Sequence, residues 1–324
     1  MLQDRQGRSF PYLRLSITDV CNFQCSYCLP DGYQGKPDAA FLSVAEIRRL
    51  VAAFAALGMW KIRITGGEPS VRRDLPEIIA TIATTPGIER VAMTTNGWHL
   101  PQFVERWKKA GLNALNVSVD SLDPRQFHAI TGQDRLREVL AGIDKALDIG
   151  IEKVKVNAVL LRDLNDRQLD AFLAWIKDKP ISLRFIELMQ TGDNLAYFKA
   201  HHLRAEHVIE QLKEKGWQEL PRMPGAGPAR EFSHDSSLGR IGIIAPYSKD
   251  FCTTCNRLRV TSTGDLRLCL FGDAGASLRD LLQEDEQQSA LQARIVEQLG
   301  FKKDHHFLHD GNPGATRHLA SCGG

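Results

Sequence analysis

The chain has 324 residues, 43% hydrophobic and 25% charged, the proportions of an ordinary globular protein and not of a disordered or collagen-like one. Lys plus Arg (41) against Asp plus Glu (39) leaves a net charge of +2, too balanced for a dedicated nucleic-acid binder. No apolar run nears the roughly 18 residues of a membrane span, and the opening Met-Leu-Gln-Asp-Arg-Gln-Gly-Arg has no apolar secretory stretch; the expectation is a cytoplasmic protein with reduced thiols and no membrane or nucleic-acid partner.

From residue 12 to about 190, short runs rich in Val, Ile, Leu and Thr alternate with amphipathic stretches. The predicted strands are Tyr12–Ile17, Lys61–Thr65, Val91–Thr95, Ala114–Val119, Lys153–Val159 and Leu183–Ile186, each apolar enough to be buried on both faces. The clearest helix is Ser43–Leu57: Ser43 and Glu46 have capping-box spacing, and Gly58 offers a left-handed stop. Asp74 with Glu77 reads as a second acidic helix start, and Gly111 and Gly150 close later helices. Six strand–helix units are too few for a complete eight-unit barrel, so an α/β fold built as a partial (β/α)6 parallel barrel is predicted, with an open doubly wound sheet as the alternative. Either places ligands at the carboxyl ends of the strands, where Gly66-Gly67-Glu68, Thr95-Asn96-Gly97 and Asp120 fall.

Beyond residue 200 the rhythm changes, which suggests a core over 1–200 and a C-terminal region over 201–324. His207–Lys215 reads as helix, Pro221–Pro228 as a loop, Arg240–Ile244, Asn256–Thr261 and Leu266–Leu270 as strands, and Ala276–Leu299 as helix, in one or two pieces. His305, His306, His309 and His318 have no metal-site spacing and read as a solvated tail before Gly323-Gly324.

Six of the seven cysteines form two triads, Cys21, Cys25 and Cys28 near one end and Cys252, Cys255 and Cys269 near the other; Cys322 stands apart as a small hydrophobe. Three thiolates can hold three irons of a 4Fe-4S cluster and leave the fourth iron open. Zinc is the competing reading, through the pairs Cys25/Cys28 and Cys252/Cys255. It leaves Cys21 and Cys269 idle. Alone, Gly66-Gly67 is a strand-ending turn, and Arg257 and Arg259, two apart on one strand face, are a solvated pair. Beside the cysteine triads they read as cofactor and phosphate contacts.

Cys21-x-x-x-Cys25-x-x-Cys28 after the first strand, with Tyr27 before the last cysteine and Gly66-Gly67-Glu68-Pro69 after the second strand, resembles the radical S-adenosylmethionine (SAM) superfamily. With Cys255-Asn256-Arg257-Leu258-Arg259 and the opening Tyr12-Leu13-Arg14-Leu15-Ser16-Ile17-Thr18-Asp19, the chain from about Phe10 onward resembles the molybdenum cofactor biosynthesis protein A family, the GTP 3′,8-cyclases. The resemblance implies two 4Fe-4S clusters, the second on the C-terminal extension, and SAM held by Tyr27, Gly67, Ser118 and Met189. It implies GTP held by Arg14, Arg63, Thr94, Lys155, Arg184, Arg257 and Arg259, and a tail whose Gly323 and Gly324 serve catalysis. It further implies ring closure of GTP to 3′,8-cyclo-7,8-dihydro-GTP, an electron donor, product handover to a cyclic pyranopterin monophosphate synthase, and room for a homodimer. Ser70 stands where the family often has an apolar residue, and Leu319-Ala320-Ser321-Cys322 where it usually has Met-x-x-Ile. Two rival functions are a radical SAM peptide maturase and a zinc-stapled RNA-binding module.

Overall fold

A computed structural model describes residues 1–35, 40–223, 226–321. All six predicted core strands are present: β1 (Tyr12–Ser16), β2 (Lys61–Thr65), β3 (Arg90–Thr95), β4 (Ala114–Ser118), β5 (Lys153–Leu160) and β6 (Ile181–Glu187). Between them run helices α1 (Val44–Ala56), α2 (Leu75–Ala83), α3 (Leu100–Lys109), α4 (Pro124–Thr131), α5 (Leu136–Asp148) and α6 (Leu169–Ile176). Then come α7 (Leu195–His201), α8 (Glu206–Glu214), β7 (Gln218–Glu219), β8 (Arg230–Ser233), β9 (Arg240–Ile244), β10 (Arg257–Val260), β11 (Asp265–Arg267), β12 (Ala276–Ser277) and α9 (Gln288–Leu299).

Local signals act as the sequence requires. Ser43 Oγ accepts from the Glu46 N–H at 3.2 Å while Glu46 Oε2 accepts from the Ser43 N–H at 2.8 Å, closing the capping box of α1. Gly58 then takes a φ of +92°, which favours glycine. Along β5, Val154, Val156, Ala158 and Leu160 are buried in the core while Lys155, Asn157 and Val159 face the other way, the two-residue alternation of a strand.

Among the described residues all twelve strands join one sheet, in the order β12-β11-β10-β1-β2-β3-β4-β5-β6-β9-β8-β7. The stretch from β10 to β9 is parallel throughout. The C-terminal region thus lengthens the six-strand core by one parallel strand at each flank. Laid flat, seven spacings of about 4.8 Å would set β9 and β10 roughly 34 Å apart. Instead one cavity is walled by Ile244 at the end of β9 and by Arg257 and Arg259 of β10, together with residues of β1, β2, β4, β5 and β6. The sheet therefore curls around its ligand space as a partial barrel does, and the flat doubly wound alternative falls away.

Several local expectations are corrected. Ala276–Leu299 is not one helix: Ala276 and Ser277 pair with Leu266 and Asp265, short turns follow, and only Gln288–Leu299 is α-helical. The strand expected over Leu266–Leu270 stops at Arg267, since Leu268, Cys269 and Leu270 turn to line a cavity. The acidic start at Asp74 and Glu77 does open α2, but the Asp74 carboxylate makes no capping bond, being gripped by Arg72 at 2.9 and 2.5 Å. His306 is not solvated. It is 5% exposed, its Nε2 lies 3.0 Å from the Pro246 carbonyl, and burial lowers its pKa, whereas His305 and His309 are exposed as expected.

Candidate active site

The loop after β1 carries the first cysteine triad, and the turn after β2 is pressed against it. The Gly67 N–H donates to the Thr18 carbonyl at 2.9 Å and the Glu68 N–H to that of Val20 at 2.8 Å. A Cβ on Gly66 would lie 2.1 Å from Thr18 O, and one on Gly67 2.4 Å from Val20 O, so both positions demand glycine for this close approach. The Glu68 carboxylate, fully buried, accepts from the Ser70 N–H (2.9 Å), the Thr95 hydroxyl (2.8 Å) and the Asn96 N–H (2.6 Å). It thereby ties the turn to the end of β3, and what faces the cavity is the glycine backbone.

Cys21, Cys25 and Cys28 are all free and open onto one cavity of about 990 Å³. Tyr27, Gly67, Thr94, Ser118 and Met189 line it too, so the four expected SAM contacts are brought together, and Thr94, expected beside GTP, joins them. The Tyr27 hydroxyl donates to Asp120 Oδ2 at 2.9 Å, and the Val159 N–H donates to Asp120 Oδ1 at 2.8 Å. Burial raises the Asp120 pKa to about 6 against the pull of these two bonds. Burial also lifts Cys21 to about 11, Cys28 to about 12 and Cys25 well above the ordinary thiol value. Such a socket gives up its protons when cationic metal arrives. The tail also enters here: Leu319 and Ala320 line the cavity, and their N–H groups point at Cys28.

The second triad opens onto a neighbouring cavity of about 840 Å³. Arg14, Arg63, Arg184, Arg257 and Arg259 line it, and among the described lining residues none is Asp or Glu. Parallel register sets Arg259, Arg14 and Arg63 side by side on β10, β1 and β2. Arg63, Arg184 and Arg259 are only 5–7% exposed, and the Nε atoms of Arg63 and Arg184 have no hydrogen-bond partner among the described residues. The carboxylate that answers Arg184 is Glu231, 3.7 Å away and outside the lining. Buried cations in this number need an anion. Burial raises the Cys252 pKa; at Cys255 burial is outweighed by Arg257, Lys302 and Arg8, and the thiol pKa falls.

Lys155 lies apart from this row. It lines a separate opening near the amino ends of β5 and β6, with Ser182, Glu231 and Arg240, although burial and the cations Arg184, Arg63 and Lys61 push its pKa down to about 6. Gly323 and Gly324, with Cys322, lie outside the described residues. Sequence reading missed Asn157, which lines both cavities; its place two residues from Lys155 on the same strand face was the available signal. It also passed over Arg8, whose partners are distant in sequence.

Both triads fit iron–sulfur ligation. Each supplies three cysteines to one cavity, and among the described residues lining the first cavity there is no fourth Cys or His. Among the described residues no three His, Cys, Asp or Glu side chains converge on the position of a single ion. The pairs Cys25/Cys28 and Cys252/Cys255 open onto different cavities, which removes the four-thiolate zinc reading.

A three-cysteine loop packed on a Gly-Gly turn at the carboxyl mouth of a curled parallel sheet defines a radical SAM protein, and residues 15–176 match the Radical SAM superfamily while residues 181–308 match Molybdenum Cofactor Synthesis C. The chain is similar to the GTP 3′,8-cyclase of Stenotrophomonas maltophilia (strain R551-3), 62% identical over 100% of this chain and 99% of the relative, and to that of Yersinia pestis, 58% identical over the same shares. The chain belongs to the GTP 3′,8-cyclase family of the radical SAM superfamily. In fold it is similar to Streptococcus suis SuiB bound to S-adenosylmethionine (TM-score 0.60, 13% identity, 88% of this chain and 68% of that one). SuiB bound to the precursor peptide SuiA gives a TM-score of 0.62 at 12% identity over 97% and 76%. These likenesses concern fold alone. Among the described residues no helix is long and apolar enough to cross a membrane.

Proposed function

We propose that the protein converts GTP to 3′,8-cyclo-7,8-dihydro-GTP, the opening step of molybdenum cofactor biosynthesis, with GTP in the arginine-lined cavity and SAM beside the first triad. The observation that carries this reading is the adjacency of a thiol-lined cavity and a carboxylate-free cavity with five arginines, which share Asn157, Ile186 and Met189. A triphosphate answers that charge; the neutral backbone of a peptide does not, which disfavours the maturase reading.

When bound, the first cluster and SAM supply a one-electron cleavage and a hydrogen-abstracting adenosyl group directed at the ribose 3′ carbon of GTP. The chain's own contribution is placement. Arg14, Arg63, Arg184, Arg257 and Arg259 grip the triphosphate, with guanidinium forks matched to phosphate oxygens. Tyr27, Gly67, Ser118 and Met189 seat SAM, while Thr94 reaches in from β3 and Lys155, held down to about 6 by burial and its cationic neighbours, regains its proton when the triphosphate offsets their charge. Holding ribose C3′ and guanine C8 within bonding reach lets the substrate close its ring before side reactions intervene. Cys252, Cys255 and Cys269 would hold a second 4Fe-4S cluster, which would supply an anchoring site for the purine, and Gly323 and Gly324 serve catalysis. The core over 1–200 thus generates the reactive group, and the region over 201–324 completes with it the pocket that receives the substrate. An electron donor, handover to the cyclic pyranopterin monophosphate synthase, a cytoplasmic setting and a homodimer complete the proposal.

An anaerobic assay with GTP, SAM and a reductant tests it: 5′-deoxyadenosine and a cyclised nucleotide are expected together, and SAM cleavage that ignores GTP and yields no cyclised nucleotide refutes it. Arg257→Ala and Arg259→Ala should each weaken GTP about tenfold or more, since a hydrogen bond to a charged group contributes about 1.5–3 kcal/mol, and should weaken guanosine much less. Equal losses for the two ligands would show that these residues do not hold phosphate.

A further inference from the structure

Asn157 stands on β5 level with Ser118 of β4 on one side and Arg184 of β6 on the other. Ser118 lines the first cavity and Arg184 the second, so Asn157 sits where the two meet. Its Oδ1 is buried and has no hydrogen-bond partner among the described residues. Buried amide oxygens are nearly always paired, and leaving one unpaired costs the fold its desolvation. The atom therefore awaits a donor that the described residues do not provide.

Of the three residues common to both cavities, Ile186 and Met189 have no strong hydrogen-bonding group; Asn157 has one. An amide oxygen repels phosphate and accepts from a hydroxyl. The phosphates belong among the arginines, and the carbon that loses hydrogen must face the adenosyl group, which brings the substrate ribose to this junction. The 3′ carbon changes its bonding during the reaction. Its 2′ neighbour does not, and is the stationary handle.

We propose that the Asn157 side chain accepts a hydrogen bond from the 2′-hydroxyl of the nucleotide substrate and so orients its ribose between the two cavities. The inference rests on the GTP-cyclase reading above. It predicts that selectivity for a ribonucleotide over its 2′-deoxy analogue resides in this one side chain.

The test compares GTP with 2′-deoxy-GTP on anaerobically reconstituted wild type, Asn157→Ala and Asn157→Asp. Dissociation constants are measured for both nucleotides and for SAM, with iron content as the check on folding. Wild type is expected to favour GTP by about tenfold, the upper range for a neutral hydrogen bond. Asn157→Ala should bind the two nucleotides alike, keep its SAM affinity and iron, and form less cyclised nucleotide per 5′-deoxyadenosine. Asn157→Asp, which keeps an acceptor, should retain a preference. Full selectivity in Asn157→Ala, or loss of SAM affinity in place of nucleotide selectivity, overturns the proposal. Failure of the underlying reading is distinct: wild type itself would then form no cyclised nucleotide.

Discussion

Arg8 offers a quantitative test of how the second cysteine site is held. It donates to Asp4 Oδ2 (2.7 Å), the carbonyls of Cys252 (3.1 Å), Asp304 (2.7 Å) and Lys303 (2.8 Å), and Gln6 Oε1 (3.4 Å). A guanidinium has five N–H groups, and these contacts use them all. The Arg8 side chain is 8% exposed and that of Asp4 0%, so the pair is shut away from water. Arg8→Met keeps the length of the side chain, leaves the Asp4 carboxylate buried without its cation and frees three carbonyls. Removing one partner of a buried ion pair costs about 3–5 kcal/mol, chiefly because the other charge is stranded. Urea denaturation of anaerobic protein should show a loss of that order, accompanied by reduced iron retention at the loop of Cys252. Adding Asp4→Asn should return part of the loss, because the stranded charge is then gone. A cost under about 1 kcal/mol for Arg8→Met, or two losses that simply add, would refute this account.

Cys25→Ala should abolish SAM cleavage, while Cys269→Ala should keep uncoupled SAM cleavage but lose GTP affinity, because the triads open onto different cavities; equal loss of SAM cleavage in both variants contradicts that division. Asp120, whose pKa burial raises from 3.8 to about 6, makes stability fall as pH rises through that interval, since the folded state there keeps a proton that the unfolded chain has released. Asp120→Asn should remove this fall, on the order of 2–3 kcal/mol, and an equal stability difference between variant and wild type at pH 4 and pH 7 would exclude it. Deleting Gly323 and Gly324 should leave both clusters and GTP binding in place but cut cyclised product severely; a wild-type yield would mark the tail as a passive end.

What could be read along the chain was whatever local chemistry decides. The core strands were legible because a strand covered on both faces is a short run of Val, Ile and Leu, and α1 because its capping box closes within four residues. The cysteine spacings and Gly66-Gly67 were legible for a related reason: a cluster ligand set and a close backbone approach constrain neighbouring positions. Other features depend on partners far away in sequence. Nothing local to Arg257–Val260 tells that it pairs with Tyr12–Leu15 at one flank of the sheet, or that Arg240–Ile244 closes the other flank beside β6. Those two pairings bring Arg259, Arg14 and Arg63 abreast and form the carboxylate-free cavity, so the substrate site is a product of tertiary structure. The same holds for His306, polar in isolation yet buried against Pro246, and for Lys155, whose depth on β5 turns it toward a different opening from the arginines. Residue type and spacing specify which chemistry the chain can carry; which side chains share a cavity is decided only when strands some 240 residues apart pair, because burial and charge compensation are properties of the packed molecule.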